Sequence, residues 1–252
     1  MRSFRTLALL ALGLASGSPQ VTESVGSAPV LPGQEALLYS IEWRLITAGQ
    51  ARLSWTAGRP GWATRLDVFS TGLVSKLFKV ENAYLANFDE RLCAQSSLLT
   101  AHEGTRHRET RVTYNAEAGQ ATYLERDLTK GHVVSASETE IPACVHDVVG
   151  ALYRMRTLRL EPGQHAELPL SDGKRSVDAR VEALDRETIE TPSGQYRTVR
   201  HEAFLFNDVL FRRPGRLFIW LTDDERRLPV QIQVRLQLHV GTVTVQLEKI
   251  ET

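Results

Sequence analysis

The sequence predicts a mostly β chain: a single antiparallel sheet, strongly curved into a barrel or half-barrel, with one short α-helix packed against or plugging it. Three observations carry this expectation. Val230, Ile232, Val234, Leu236, Leu238 and Val240 alternate without a fault with Gln231, Gln233, Arg235, Gln237 and His239, the period-two signature of a half-buried strand. Short β-like runs separated by glycine-rich turns fill most of the remaining chain. Only one segment, around Val145, Val148, Val149 and Leu152, repeats its apolar residues at helical spacing. Closure into a barrel would remove the exposed edges that so many strands create; a two-sheet β-sandwich is the alternative.

In chain order, Arg2 and Arg5, the apolar Leu7 to Ala15 and the small residues Ala15-Ser16-Gly17 read as a signal peptide over residues 1–17. Residues 18–34, rich in Ser, Pro and Gly, suit a flexible leader, and one β-rich domain is expected over 35–252. Strands are predicted over 36–46, 50–56, 62–71, 80–88, 106–114 and 120–127, with a short helical turn over 73–78. Pro142 and a candidate N-cap at Asp147 start the helix, which runs to Thr157. Further strands follow over 165–170, 176–184, 187–191 and 196–206, and the meander 216–222, 228–239 and 242–250 ends the chain.

Composition narrows the functional classes. The chain has 30 basic and 30 acidic residues, and loss of Arg2 and Arg5 with the signal leaves a net charge of −2. Such a balance gives no electrostatic footprint for nucleic acid. No apolar run approaches the roughly 20 residues a membrane-spanning helix needs, so a soluble exported protein is expected. No cysteine stands at the cleavage point, which excludes a lipid anchor there. Cys93 and Cys144 are the only cysteines, and an even pair behind a signal sequence argues for a disulfide over two buried thiols.

Motifs for chemistry are few. His102 and His107 are five residues apart, whereas a zinc-binding helix needs a spacing of four. No Gly-x-Ser-x-Gly elbow, phosphate-cradling loop or paired-cysteine metal motif occurs in the mature chain, and no cofactor or metal is expected. Asp223, Asp224 and Glu225 lack the calcium-loop spacing and are followed at once by Arg226 and Arg227. Arg156 stands out, because 100° per residue puts it beside Val149 and Leu152 on the apolar stripe. A charge there must pair with a carboxylate on the sheet or meet an anionic ligand. Trp43, Trp55, Trp62 and Trp220 fill a core or line an apolar cavity. Arg156, Trp43 and Trp220 are therefore the candidate ligand-binding residues, and no catalytic residue is assigned.

The order of several short motifs resembles the DUF3108 family of exported bacterial proteins. They are Tyr39-Ser40-Ile41-Glu42-Trp43 with Ala48-Gly49, the run Asp147 to Arg156, Leu160-Glu161-Pro162-Gly163, Ser171-Asp172-Gly173-Lys174, the run Ile219 to Val230, and Gly241-Thr242-Val243. The resemblance implies a β-rich periplasmic fold around one helix, with no established activity. The functional expectation is a non-enzymatic periplasmic protein whose curved sheet binds an apolar or amphipathic envelope ligand, such as a lipid, or a partner segment. A hydrolase with a spatially assembled site and a purely structural interaction module are the alternatives.

Overall fold

The computed structural model describes residues 31–44, 46–58, 60–236 and 241–251. The proposed signal peptide and most of the leader lie outside the described residues. The first half of the chain forms β1 (Gln34–Trp43), β2 (Ile46–Ala57), β3 (Trp62–Ser70), α1 (Gly72–Leu77), β4 (Val80–Phe88), β5 (Ala94–Glu103), β6 (Arg106–Asn115), β7 (Gln120–Asp127) and β8 (Val133–Glu140). After α2 (Val148–Thr157) come β9 (His165–Ser171), β10 (Ser176–Thr191), β11 (Gly194–Ala203), β12 (Gly215–Thr222), β13 (Pro229–Leu236) and β14 (Gly241–Glu251).

All fourteen strands join one antiparallel sheet, running from β8 back to β1, across to β14 and back to β9. The sheet is thus two meanders joined by the β1–β14 pair. It is open, with β8 and β9 as its edges. The connection between those edges carries α2 across the concave face. The helix starts where expected: Asp147 caps it, its Oδ1 accepting from the Gly150 N–H at 2.6 Å. Val149 and Tyr153 then pack on the first meander, while Ala151 and Met155 pack on the second.

Tyr153 stacks on Trp55 with ring centroids 3.7 Å apart. Phe88 lies so near the helix that a Cβ on Gly150 would meet its ring at 2.6 Å, which explains a glycine inside a helix. Cys93 and Cys144 form a disulfide with Cα atoms 4.9 Å apart, tying the β4–β5 turn to the segment that enters the helix.

Several expectations need correction. Strands β5 and β8 lack predicted counterparts, because β5 carries few large apolar residues and β8 is an exposed edge ending in Ser-Glu-Thr-Glu. The segments 176–184 and 187–191 are one strand, β10, with a bulge between Ala183 and Asp185. The alternating strand ends at Leu236 among the described residues; 237–240 lie outside them. Its two faces are also less distinct than the alternation suggests. Val230 is buried, yet so is Gln231, whose Oε1 accepts from Gln246 at 2.8 Å, and Ile232, Val234 and Leu236 are only half-buried. Gln231 pairs with the buried Trp220 on the convex face, and the far half of the β10–β11 hairpin reaches β14 there, the Ser193 N–H donating to the Leu247 carbonyl. Both faces of the sheet are therefore partly covered at this strand.

Candidate ligand cavity

The strand order sets two ends. At one, β1 begins, and α2 plugs the concave face; at the other, β1 turns into β2. Arg156 belongs to the plug. Its guanidinium takes the Glu35 carboxylate bidentately, at 2.5 and 3.0 Å, donates to the Arg226 carbonyl at 3.1 Å, and lies 5.0 Å from the Tyr153 ring centre. Both charges are buried, Arg156 at 1% exposure. This geometry is that of an ion pair with an acid on the sheet.

The other two candidates lie elsewhere. Trp220 is on the convex face, donating to Glu187 at 2.7 Å. Trp43 stands at the rim beside Arg44. The structure brings none of the three into a common pocket.

The cavity lies between α2 and the rim, over β3 to β7, with a volume of about 600 Å³. Leu66, Val68, Leu99 and Ala101 point into it from β3 and β5, because register partners share a face. The opposite wall, from β6 and β7, is charged. There Arg108 binds Asp127 at 2.6 Å and Arg106 binds Glu125 at 3.1 Å. Arg108 Nε is buried without a hydrogen bond and lies 3.8 Å from the Glu125 carboxylate. The β9–β10 turn crosses to this wall and brings Lys174 to 3.7 Å from Glu125. Gly173 makes that crossing possible: its φ is 87°, and a Cβ there would meet Val112 at 2.7 Å.

Asp147 closes the bottom of the cavity. Tyr84 donates to its Oδ2, and the Tyr114 hydroxyl nearby donates to the Ser171 carbonyl at 3.2 Å. Burial pushes the Asp147 carboxyl up to about 6, against the lowering effect of the Tyr84 and Gly150 hydrogen bonds. Burial, then the charge of Asp147, pushes the Tyr84 hydroxyl well up. Burial also raises Glu125, but the hydrogen bonds from Tyr123 and Arg106 and the Lys174 charge outweigh it and hold the carboxyl below its ordinary value.

Neither His102 nor His107 points inward; their rings meet edge-on at 4.7 Å across the β5–β6 turn. Among the described residues no group of three or more His, Cys, Asp or Glu side chains is placed to hold a metal ion. None of their helices is long and apolar enough to cross a membrane. Sequence reasoning missed the cavity residues other than Asp147, which it took for a cap. The signal available was Arg106-x-Arg108 on β6 facing Glu125-x-Asp127 on β7, two residues apart in each case.

The family model described as "Protein of unknown function (DUF3108)" matches residues 38–248, and the chain belongs to that family. No curated protein matches. Among solved structures, a β-barrel-like protein of domain of unknown function DUF1849 from Brucella abortus is similar, with a TM-score of 0.55 at 10% identity, covering 88% of this chain and 98% of that one. A DUF1089 family protein from Pseudomonas aeruginosa aligns at a TM-score of 0.38 and 13% identity, over 85% of this chain and 95% of its own. A Bacteroides fragilis protein described as a candidate exported protein with a YmcC-like fold aligns at 0.38 and 8%, over 87% and 96%. The first of these supports a β-barrel-like fold and nothing further.

Proposed function

We propose that this is a non-enzymatic binding protein of the bacterial envelope that holds an amphipathic molecule with an anionic group in the concave cavity. The observation that carries the reading is the division of one cavity of about 600 Å³ into an apolar wall on β3 and β5 and a guanidinium-bearing wall on β6. That volume lies in the ordinary range of small-molecule sites, which are mostly apolar with a few placed polar groups. An acyl chain fits against Leu66, Val68 and Leu99, and an anionic group faces the part-exposed guanidinium of Arg108 across the cavity. Export is supported by the basic-apolar-small start of the sequence and by the disulfide.

The test is displacement of 1-anilinonaphthalene-8-sulfonate by lauric acid from the purified mature protein. Saturable one-to-one displacement is expected, with Arg108→Gln weakening lauric acid about tenfold to a hundredfold, as loss of a charged hydrogen bond implies. Absence of saturable binding, or an Arg108→Gln variant that binds lauric acid unchanged, rejects the reading.

A further inference from the structure

The two ends of the sheet differ in a way the cavity does not require. Seven connections lie at the rim end, because every one of the paired strands is antiparallel. The β1–β2 turn brings Arg44, the β3–β4 connection Lys76 and Lys79, and the β7–β8 turn Lys130. The β9–β10 turn adds Lys174 and Arg175, and the β11–β12 loop Arg212 and Arg213. Against these eight cations, the described rim connections carry two acids, Asp172 and Asp208. Lys79 also pairs with Glu81 on β4. The described plug-end connections are nearly balanced: Asp89, Glu90, Glu117, Asp147, Glu161, Asp223, Asp224 and Glu225 stand against Arg91, Arg154, Arg156, Arg159, Arg226 and Arg227.

Exposed apolar side chains follow the cations. Of the twelve large hydrophobic side chains that are exposed among the described residues, ten lie on the rim connections or within two residues of them; Leu85 and Val148 are the exceptions. α1 shows the pattern most clearly. Leu73 and Leu77, four apart and so on one helix face, are 63% and 78% exposed, and no residue of the helix is buried. A six-residue helix is too short to persist on backbone hydrogen bonds alone, and its apolar face is turned outward. Phe78, which follows it, lies against Gly104 of the β5–β6 turn. The residues flanking that turn, Glu103 and Arg106, line the cavity. The exposed apolar patch is therefore continuous with the cavity mouth.

We infer that the rim end docks on an anionic lipid surface, with Leu73, Leu77 and Phe78 entering the interface and the ring of lysines and arginines facing the headgroups. Apolar and aromatic side chains among basic residues suit the boundary between acyl chains and anionic headgroups. The plug end, with its nearly balanced charges, then faces away from the membrane. The inference deepens the proposed function by naming the surface from which the ligand is drawn, but docking is measured without any ligand.

The experiment is co-sedimentation of the mature protein with vesicles of phosphatidylglycerol and phosphatidylcholine, against vesicles of phosphatidylcholine alone. The protein is expected to bind the anionic vesicles at least about tenfold more tightly, with loss of binding in high salt. The double variant Leu73→Ser/Leu77→Ser, both positions exposed, should lower vesicle affinity by about tenfold or more, and Arg212→Gln/Arg213→Gln should lower it and flatten the salt dependence. Glu117→Gln, exposed at the plug end, should change nothing.

Failure to bind anionic vesicles, or equal binding by the α1 variant, overturns the inference. So does a dimer in sedimentation equilibrium that the α1 variant dissolves, since the patch is then a contact between copies. Lauric acid displacement by the same samples reports the cavity separately, so either reading can fall while the other stands.

Discussion

The two meanders share topology, curvature and a helix, yet next to the helix one is hollow and the other is filled; the second meander's own pocket, also of about 600 Å³, lies at the rim between the β9–β10 turn and the β11–β12 loop. On the concave face of β9 to β13, Leu168, Leu170, Val181, Ile219 and Leu221 meet Ala151 and Met155 of α2. The β11–β12 loop folds back over them and buries Leu205 and Leu210. Over β3 to β7 the described rim connections bury no such apolar side chains, and what reaches that wall is the β9–β10 turn with Lys174. The inward side chains there include the small Ser97, Ala101 and Thr110 beside Leu66, Val68 and Leu99, and charged residues that hold one another at the wall. A cavity thus arises without any change of fold, from small residues and charge pairs on one meander and a plugging loop on the other.

The largest expected effect falls on the part both meanders share. Arg156→Ala leaves Glu35 buried without its partner, and the loss of a buried pair member costs about 3–5 kcal/mol. Chemical denaturation should show that loss as one cooperative transition. Two separated transitions would mean that the meanders are independent and that α2 does not couple them.

A second effect distinguishes the meanders by pH. Asp147 under the cavity has its carboxyl raised to about 6, so between about pH 4 and 6 the folded chain keeps a proton that the unfolded chain has lost. Stability attributable to Asp147 therefore falls as pH rises through that window, by about 3 kcal/mol for a shift of this size. His201 on the filled side is lowered to about 4 by burial and by the Arg227 charge. There the unfolded chain binds the extra proton, and the His201 contribution is present above about pH 6.5 and lost as pH falls toward 4. Relative to wild type, Asp147→Asn should make stability rise more steeply from pH 4 to 6, and His201→Gln should make it rise less. Denaturant melts across that range measure both slopes. Parallel curves for all three proteins would contradict the assignment.

The smallest effect sharpens the contrast in packing. Ala179, on β10 in the filled half, is 1% exposed, whereas Ala101 lines the cavity. Ala179→Leu should destabilise by about 1–3 kcal/mol through overpacking, and Ala101→Leu by less than about 1 kcal/mol. Equal losses in thermal melts would show that the space on β5 is not available to a side chain or a ligand.

Much of the frame was legible in the residues. Helical spacing and Asp147 located α2, the wheel position of Arg156 called for a carboxylate on the sheet or an anionic ligand, of which the structure shows Glu35, and the even cysteine pair matched the disulfide. The cavity was not legible, because its walls come from five strands whose inward sets become known only once β3 to β7 are put in register. Strand β5, with its Ala, Ser and Thr residues, reads as a weak strand in isolation, and those same small side chains are what leave the space. The charge difference between the ends was hidden for a related reason. A nearly neutral chain looks evenly mixed until the strand order sends alternate connections to opposite ends.

Hydrogen exchange of the mature protein with and without lauric acid tests the hollow-versus-filled account most directly. The account predicts slowed exchange in β3 to β7, centred on residues 66–68, 97–101 and 108–112, with β9 to β13 unchanged. Protection centred on β9 to β13, or none anywhere at saturating ligand, would contradict it.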